Sequence, residues 1–592
     1  MSEDQRPTRV RYRVLAVTAC LAVLLYLDRF CVSFAVRYIQ EDLRLSEDQI
    51  GLFLGIFFFT YALGQVPGGW LADRYGARFA LVLFLTSWSL FTGLMGWAEG
   101  FVFLMLMRMG CGLTQAGAFP SCGSLLRQWV PPENRATASS IVSFGGRIGG
   151  AAAPVLTAFV MLLFVPLSYP SQFQSRDLLP GNEKQFFQKL LHPKTPWERE
   201  ISAKIPETLH TALATEESQG NLTPQTRENL VREFNRQLTN EVMFTTDLVK
   251  LPGLDRQAAR YAEEREQGKQ LTPQEITRLN RLTLEAVFPQ SLRKLNTAGW
   301  RPMLVLFGSA GFVVAFVFWL VARDRPEEHP RCNPAELALI RASEPSKSAA
   351  VDSSQIEFPW REMLTSPVLW ASSLSQFFTN LSWIFLVTLL PTYLELAHHV
   401  EFRQRAWMAS VPIMVGIAGN LLGGPFSDWC VRWAGRRRGR AVVVLMTRVL
   451  AGFCYWGCLW TNDPWIATIL FSGVAFFTDL GVPAVWAFAQ DVGGKVVGAI
   501  LGWGNMWGNF ASALAPSLFL FLTKRPEFGG ASFSTNPGEN KNWNAVFVCC
   551  GLAFVISGLL GWGMRADEPI QAVLRSDRAE ENSKRPGERG TG

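Results

Sequence analysis

GGWLADRYGAR, residues 68–78, closes one apolar stretch of the chain, and GGPFSDWCVRWAGRRRGR, residues 423–440, closes another. Each sets two glycines at the end of a hydrophobic run, an aspartate four residues after the second glycine, and basic residues across a tight turn. Glycine lets two helices approach closely, and the aspartate suits capping of the next helix or pairing with an arginine from a neighbour. The same device at two places 355 residues apart predicts a chain built from two equivalent halves with a site between them.

The rest of the chain says what those halves are made of. Hydrophobic residues make up 49% of it and charged residues only 18%, below the quarter or so expected of a soluble domain. The apolar residues gather into twelve windows, each long enough at about 20 residues to cross a bilayer as a helix. Six run over 14–36, 50–71, 80–98, 101–126, 137–166 and 302–322, and six over 366–394, 406–428, 441–460, 464–488, 496–522 and 543–564. The fold class predicted is an all-α membrane protein of twelve spans in two six-helix halves, embedded in a lipid bilayer.

Arginines set the orientation. Arg74, Arg78, Arg127, Arg135, Arg323, Arg325 and the run Arg436–Arg437–Arg438 fall in alternate loops, and Arg565, Arg575, Arg578 and Arg589 follow the last span. By the positive-inside rule these lie in the cytoplasm with both termini. The first window follows Arg6 to Arg13 but is too long for a signal peptide and reads as a retained span. The expected division is a cytoplasmic N-terminus at 1–13, helices 1–5 over 14–167, helix 6 over 298–325, a cytoplasmic linker at 326–365, helices 7–12 over 366–564 and a disordered cytoplasmic tail at 565–592. A bacterial inner membrane is the expected location. The net charge of +7 reflects orientation and calls for no nucleic-acid partner.

Residues 168–297 interrupt the first half. They are polar, have no spanning window, and fall on the periplasmic or extracellular side. Thr223-Pro224 and Thr272-Pro273 read as N-cap followed by proline at the first helical position, and Thr272 with Glu275 as a capping box. Leu230, Phe234 and Leu238 recur at helical spacing, as do Ile276, Leu279 and Leu282. A small helical cap on a monomer is one reading of the insertion; a module that binds a periplasmic partner is the other. Cys454 and Cys458 stand four apart with no further ligand nearby, so they read as packing residues, and neither a metal nor a cofactor is expected.

Charged residues inside the spans carry the functional reading. One such residue at the centre of a membrane helix costs about 2.5 to 3.5 kcal/mol, so those that remain face a polar cavity or pair there. The windows hold Asp28 and Arg29 in span 1, Arg108 in span 4, Arg147 in span 5 and Asp479 in span 10. Three arginines against two carboxylates make a positive site suited to a small organic anion. Asp28 and Arg29 diverge by about 100° on a helix, so each is free to find its own partner.

These residues also carry a resemblance. The loop G-x-L-A-D-R-x-G-x-R at Gly69, Asp73, Arg74, Gly76 and Arg78, repeated at Asp428, is similar to the signature loop of the major facilitator superfamily, in which it gates the conformational cycle. LYLDR in span 1, FFFTYALGQVPGGW in span 2, R-x-x-x-G in span 4, RDRPEEHP after span 6 and GWGNMWGNF in span 11 resemble the anion:cation symporter family of sugar-acid carriers. The resemblance implies that Arg29, Tyr61 and Arg108 bind a carboxylate and its hydroxyls, that Asn505 and Asn509 contribute from the other half, and that Asn380 and Trp383 line the outer gate. One departure stands out: that family's glutamate seven residues after the span-4 arginine is Gln115 here, which can hydrogen-bond but not carry a proton. Either Asp28 then works alone, Asp479 substitutes from the other half, or transport is not proton-coupled.

The function expected is secondary transport of a sugar acid such as a hexuronate or aldonate, by alternating access with proton symport. An uncoupled uniporter or exchanger, and a sensor using the insertion, remain open. Arg147 is expected either to bind a second carboxylate or to neutralise Asp28. No enzyme is expected, since no phosphate-binding glycine loop or nucleophile with its base is present and the windows lack histidine.

Overall fold

The computed structural model describes residues 6–168, 172–178, 183–218, 220–241, 243–244, 247–295, 299–341, 358–398, 400, 402–523 and 543–567. Most of the tail expected to be disordered lies outside them, as do linker residues 342–357. Apart from an isolated bridge between Leu178 and Leu292, the described residues form helices and their connections.

Among the described residues, eleven helices are long and apolar enough to cross a membrane. The longest, Phe402–Gly457, is two helices meeting at Gly435, where φ is +76° and helical geometry is broken. That positive φ is why glycine stands there, and dividing the helix at it gives twelve spanning segments. They are α1 (Val10–Leu43), α2 (Glu47–Tyr75), α3 (Ala77–Met95), α4 (Phe101–Trp129, interrupted at Gly117), α5 (Arg135–Ser168), α6 (Trp300–Val321), α7 (Pro367–His398), α8 (402–434), α9 (436–457), α10 (Pro464–Val492), α11 (Val497–Thr523) and α12 (Trp543–Trp562). Ser366 caps α7 and Asp463 caps α10, each followed by proline at the first position. A single π turn at Phe385–Leu389 interrupts α7.

By contacts the chain forms two units. The larger comprises residues 1–31, 51–154 and 305–592. Glycines set its closest approaches: a Cβ on Gly145 or Gly149 of α5 would come within 2.5 or 2.1 Å of the Ala19 or Val23 carbonyl oxygen of α1. Gly419 and Gly423 of α8 meet the Phe476 and Leu480 carbonyls of α10 in the same way. Both pairs have the glycine-x-x-x-glycine spacing by which membrane helices pack backbone to backbone. The C-terminal helices add an aromatic core around Phe385, whose ring meets those of Tyr393, Tyr455, Phe471, Phe519 and Phe547.

The second unit, residues 32–50 and 155–304, holds the insertion. Its six helices, Lys184–Leu191, Pro196–Lys204, Glu207–Glu217, Pro224–Leu238, Arg256–Glu266 and Pro273–Val287, enclose their own apolar core. Leu230, Phe234, Leu238, Leu279 and Leu282 are buried in it as their spacing predicts, while Ile276 is only half-buried. Thr223 and Thr272 cap their helices, the latter in a capping box with Glu275, and Thr195 with Glu198 forms another. Arg281 holds Glu285 at 2.5 Å, and burial pushes that carboxyl up to about 7. Asp42 at the end of α1 gathers Arg293, Arg301 and the Trp300 indole N–H, tying the last residues of the insertion to the start of α6.

Candidate functional site

Asp28 and Arg29 part company. The Trp88 indole of α3 donates to Asp28 Oδ2 at 3.0 Å, while Oδ1 is buried without a partner. Among the described residues Asp28 makes no ion pair. Arg29 turns to the other side, donating from Nε to Gln115 Oε1 at 3.4 Å, with Cζ 4.3 Å above the Tyr61 ring and 5.1 Å above Tyr26. Arg108 is buried behind it, its Cζ 4.3 Å above the Phe57 ring. Arg29 Nη2, Arg108 Nε and Nη1, and Gln115 Nε2 are all buried without hydrogen-bond partners. Aromatic faces offset part of the cost of burying the cations, but they leave these N–H groups pointing at nothing. Arg29, Tyr61, Arg108 and Gln115 are thus brought together, with buried N–H groups that no hydrogen bond satisfies.

Arg147 is not the partner of Asp28. It donates to Asp479 Oδ1 of α10 at 2.5 Å, joining the two halves, with its Cζ 5.3 Å from the Trp383 ring. The pair is consistent with charge balance: Asp28 is held by Trp88, whereas Asp479 otherwise sits against Gly416, where a Cβ would come to 2.7 Å from Oδ2. Sequence reading missed a further charge here. Arg448 of α9 is buried, donates to the Thr478 carbonyl at 2.6 Å, and acts electrostatically on Asp479. An arginine inside the ninth apolar window was the signal that could have found it.

The asparagines are placed less directly. Asn509 donates to the Asn505 carbonyl at 2.8 Å and Asn380 to the Gln376 carbonyl at 2.9 Å, all within single helices. Asn380 packs on α11 at Gly508, as Gln376 does at Gly504, so these side chains fix the approach of α7 to α11.

The two signature aspartates form a crossed clasp between the halves. Asp73 accepts the Gly498 and Ala499 N–H groups at 2.9 and 2.8 Å, capping α11, and the Ser124 hydroxyl at 3.0 Å. Asp428 accepts the Ala136 and Thr137 N–H groups at 3.3 and 2.8 Å, capping α5, and pairs with Arg440 at 3.0 Å. Asp73 therefore caps a helix of the opposite half, not the next one, and makes no arginine pair among the described residues. A carboxylate at a helix N-terminus satisfies orphan amides and meets the positive end of the dipole. Gly69 permits this closeness: a Cβ there would lie 2.0 Å from the Gly498 carbonyl oxygen. Gly76, at φ +95°, and Arg78 pack on Asp324 after α6, the Arg78 amide donating at 2.8 Å, while Arg74 stacks over Trp70.

From this clasp the halves stay in contact along α5. Arg135 meets Asp491 at 2.9 Å, Ser139 accepts from Gln490 at 3.0 Å, Ser140 faces Gly424, Ser143 accepts from Asn420 at 3.1 Å, and Arg147 reaches Asp479. At 1.5 Å per residue this seam runs about 18 Å. Replacing Gly69 with valine should force α2 and α11 apart at its clasped end. Cysteines introduced at Ser143 and Asn420, whose side chains meet across the seam, are then expected to cross-link several-fold less than in the parent; undiminished cross-linking would show that Gly69 does not hold the seam closed.

Two sets of six spanning helices, closed at one end by reciprocal caps and holding buried arginines with unsatisfied N–H groups, define a membrane transporter. The chain belongs to the major facilitator superfamily, whose model matches residues 18–169 and 295–516. It is 23% identical to the probable sulfoacetate transporter SauU of Cupriavidus necator over 97% of each chain. It is likewise 23% identical to the probable galactarate/D-glucarate transporter GudP of Bacillus subtilis over 89% of each. Among solved structures, the E. coli fucose:proton symporter FucP superposes with a TM-score of 0.52 at 11% identity, covering 93% of this chain and 98% of that one.

Proposed function

We propose that the protein carries a sugar acid, or a comparably small organic anion, across the bacterial inner membrane by alternating access, in symport with protons. The observation that carries this reading is the Arg29–Arg108 pocket, whose buried N–H groups have no partners and can each donate a charge-assisted hydrogen bond to an anion. The relatives named above as carriers of galactarate, D-glucarate and sulfoacetate support an anionic substrate. Asp28, with one oxygen on Trp88 and the other free, is the proton carrier. The positive-inside rule puts the clasped end and both termini in the cytoplasm, so the seam is the closed inner gate of an outward-facing carrier, and the insertion lies in the periplasm.

Uptake into proteoliposomes of the purified chain tests this. Accumulation of a labelled sugar acid against its gradient should require an inward proton gradient and collapse with a protonophore. Gln115 keeps one rival in view: an amide in place of the family's second acid suits exchange of one anion for another. Accumulation driven equally well by counter-substrate with no proton gradient would establish exchange instead.

A further inference from the structure

The seam ends on an unbalanced cluster. Arg147 and Arg448 share a single carboxylate, Asp479. Arg448 is buried with its Nε lacking a partner, and Asp479 is 2% exposed, yet the Arg147 side chain remains 25% exposed. On the other side of the site Arg29 and Arg108 make no ion pair with Asp28, which Trp88 holds. Both clusters therefore keep buried positive charge in surplus, which a bound counterion relieves.

The two clusters are neighbours through Tyr26. Its ring lies 5.1 Å from the Arg29 guanidinium and also packs on Gly146, the residue before Arg147. It continues through Phe119, 5.9 Å away, to Trp486 on the same helix as Asp479. Tyr26 thus stands beside the Arg29 guanidinium and against the turn of α5 that carries Arg147.

We infer that Arg147 is the receptor for a second anionic group, so that the carrier selects dianions with anionic groups at opposite ends of a short carbon chain. This rests on the reading that Arg29 and Arg108 hold the first group. Arg147 is the only member of its cluster with exposed surface, and it sits at the end of the seam. When it turns from Asp479 to the substrate, Arg448 stays behind to balance Asp479, so the exchange strands no buried carboxylate. Asp479 thus acts as a resident counterion that holds Arg147 until a substrate replaces it. A monoanion fills one cluster and leaves the other as it was.

Acids matched except that a terminal carboxylate becomes a hydroxymethyl group test this: glucarate against gluconate, and tartrate against threonate. Binding is measured by tryptophan fluorescence on full-length protein in nanodiscs. At least one dianion should bind about tenfold or more tighter than its partner, the difference expected of one charge-assisted contact. Arg147→Gln should bring that ratio toward one. Asp479→Asn, which releases Arg147 from its competitor, should raise the ratio above that of the parent, a change that a merely structural ion pair would not produce. No preference for any dianion, or an Asp479→Asn protein with a ratio at or below the parent's, overturns the inference. Arg108→Ala separates the two levels. If it abolishes binding of both acids in a pair while Arg147→Gln leaves their ratio unchanged, the second receptor is refuted and the first reading stands. If Arg108→Ala leaves both acids bound as before, the first reading has failed and this inference falls with it.

Discussion

Arg108→Ala should lower sugar-acid uptake by roughly a hundredfold or more while the protein inserts and folds as the parent does. The size follows from what the side chain offers: two buried N–H groups with no partner, each able to make a charge-assisted bond worth about 1.5–3 kcal/mol to a carboxylate. The sparing of the fold follows from what it does not do. Among the described residues Arg108 pairs with no carboxylate, so its removal strands no buried opposite charge; it vacates only the faces of Phe57 and Phe53. Arg108→Lys should fail nearly as badly, since an ammonium cannot present two donors in a fixed fork. Initial uptake rates at matched amounts of monodisperse protein measure this. Transport within about twofold of the parent in the alanine variant would move the anion site elsewhere.

Asp28→Asn is expected to have the second largest effect, and a selective one. The asparagine oxygen can still accept the Trp88 indole N–H, so the contact between α1 and α3 survives. What is lost is a group that binds and releases a proton. Accumulation driven by a proton gradient should disappear, and substrate-dependent acidification inside pyranine-loaded vesicles with it, while exchange of internal for external substrate continues. If the variant still accumulates substrate on a proton gradient, the proton travels through Asp479 or by another route.

How far this was legible in the sequence depended on the range of the interaction. The spans follow from local hydropathy, the break at Gly435 from a glycine beside a basic turn, and the caps at Thr223 and Thr272 from a threonine and a proline side by side. Thr195-Pro196 obeys the same rule and was simply passed over. The gathering of Arg29, Tyr61, Arg108 and Gln115 was reachable because motif positions imply it. The partner of Arg147 was not, because Asp479 is 332 residues away and nothing in helical periodicity says which helix of one half faces which of the other. Asp73 shows the same limit: an aspartate at the end of α2 looks like a cap for α3, yet the amides it satisfies begin α11.

The seam along α5 has a consequence for the speed of the cycle. Its contacts are serines, a threonine, glycines, amides and paired charges, in place of interlocked leucines. Every hydrogen bond given up when the halves separate can be replaced by one to water, and little apolar area is wetted, at about 25 cal/mol for each Å². Such a joint is cohesive when dry and soluble when wet, so it opens against a low thermodynamic barrier. Its strength lies in the geometry of closure, and water entering at the clasped end competes for every polar contact along it.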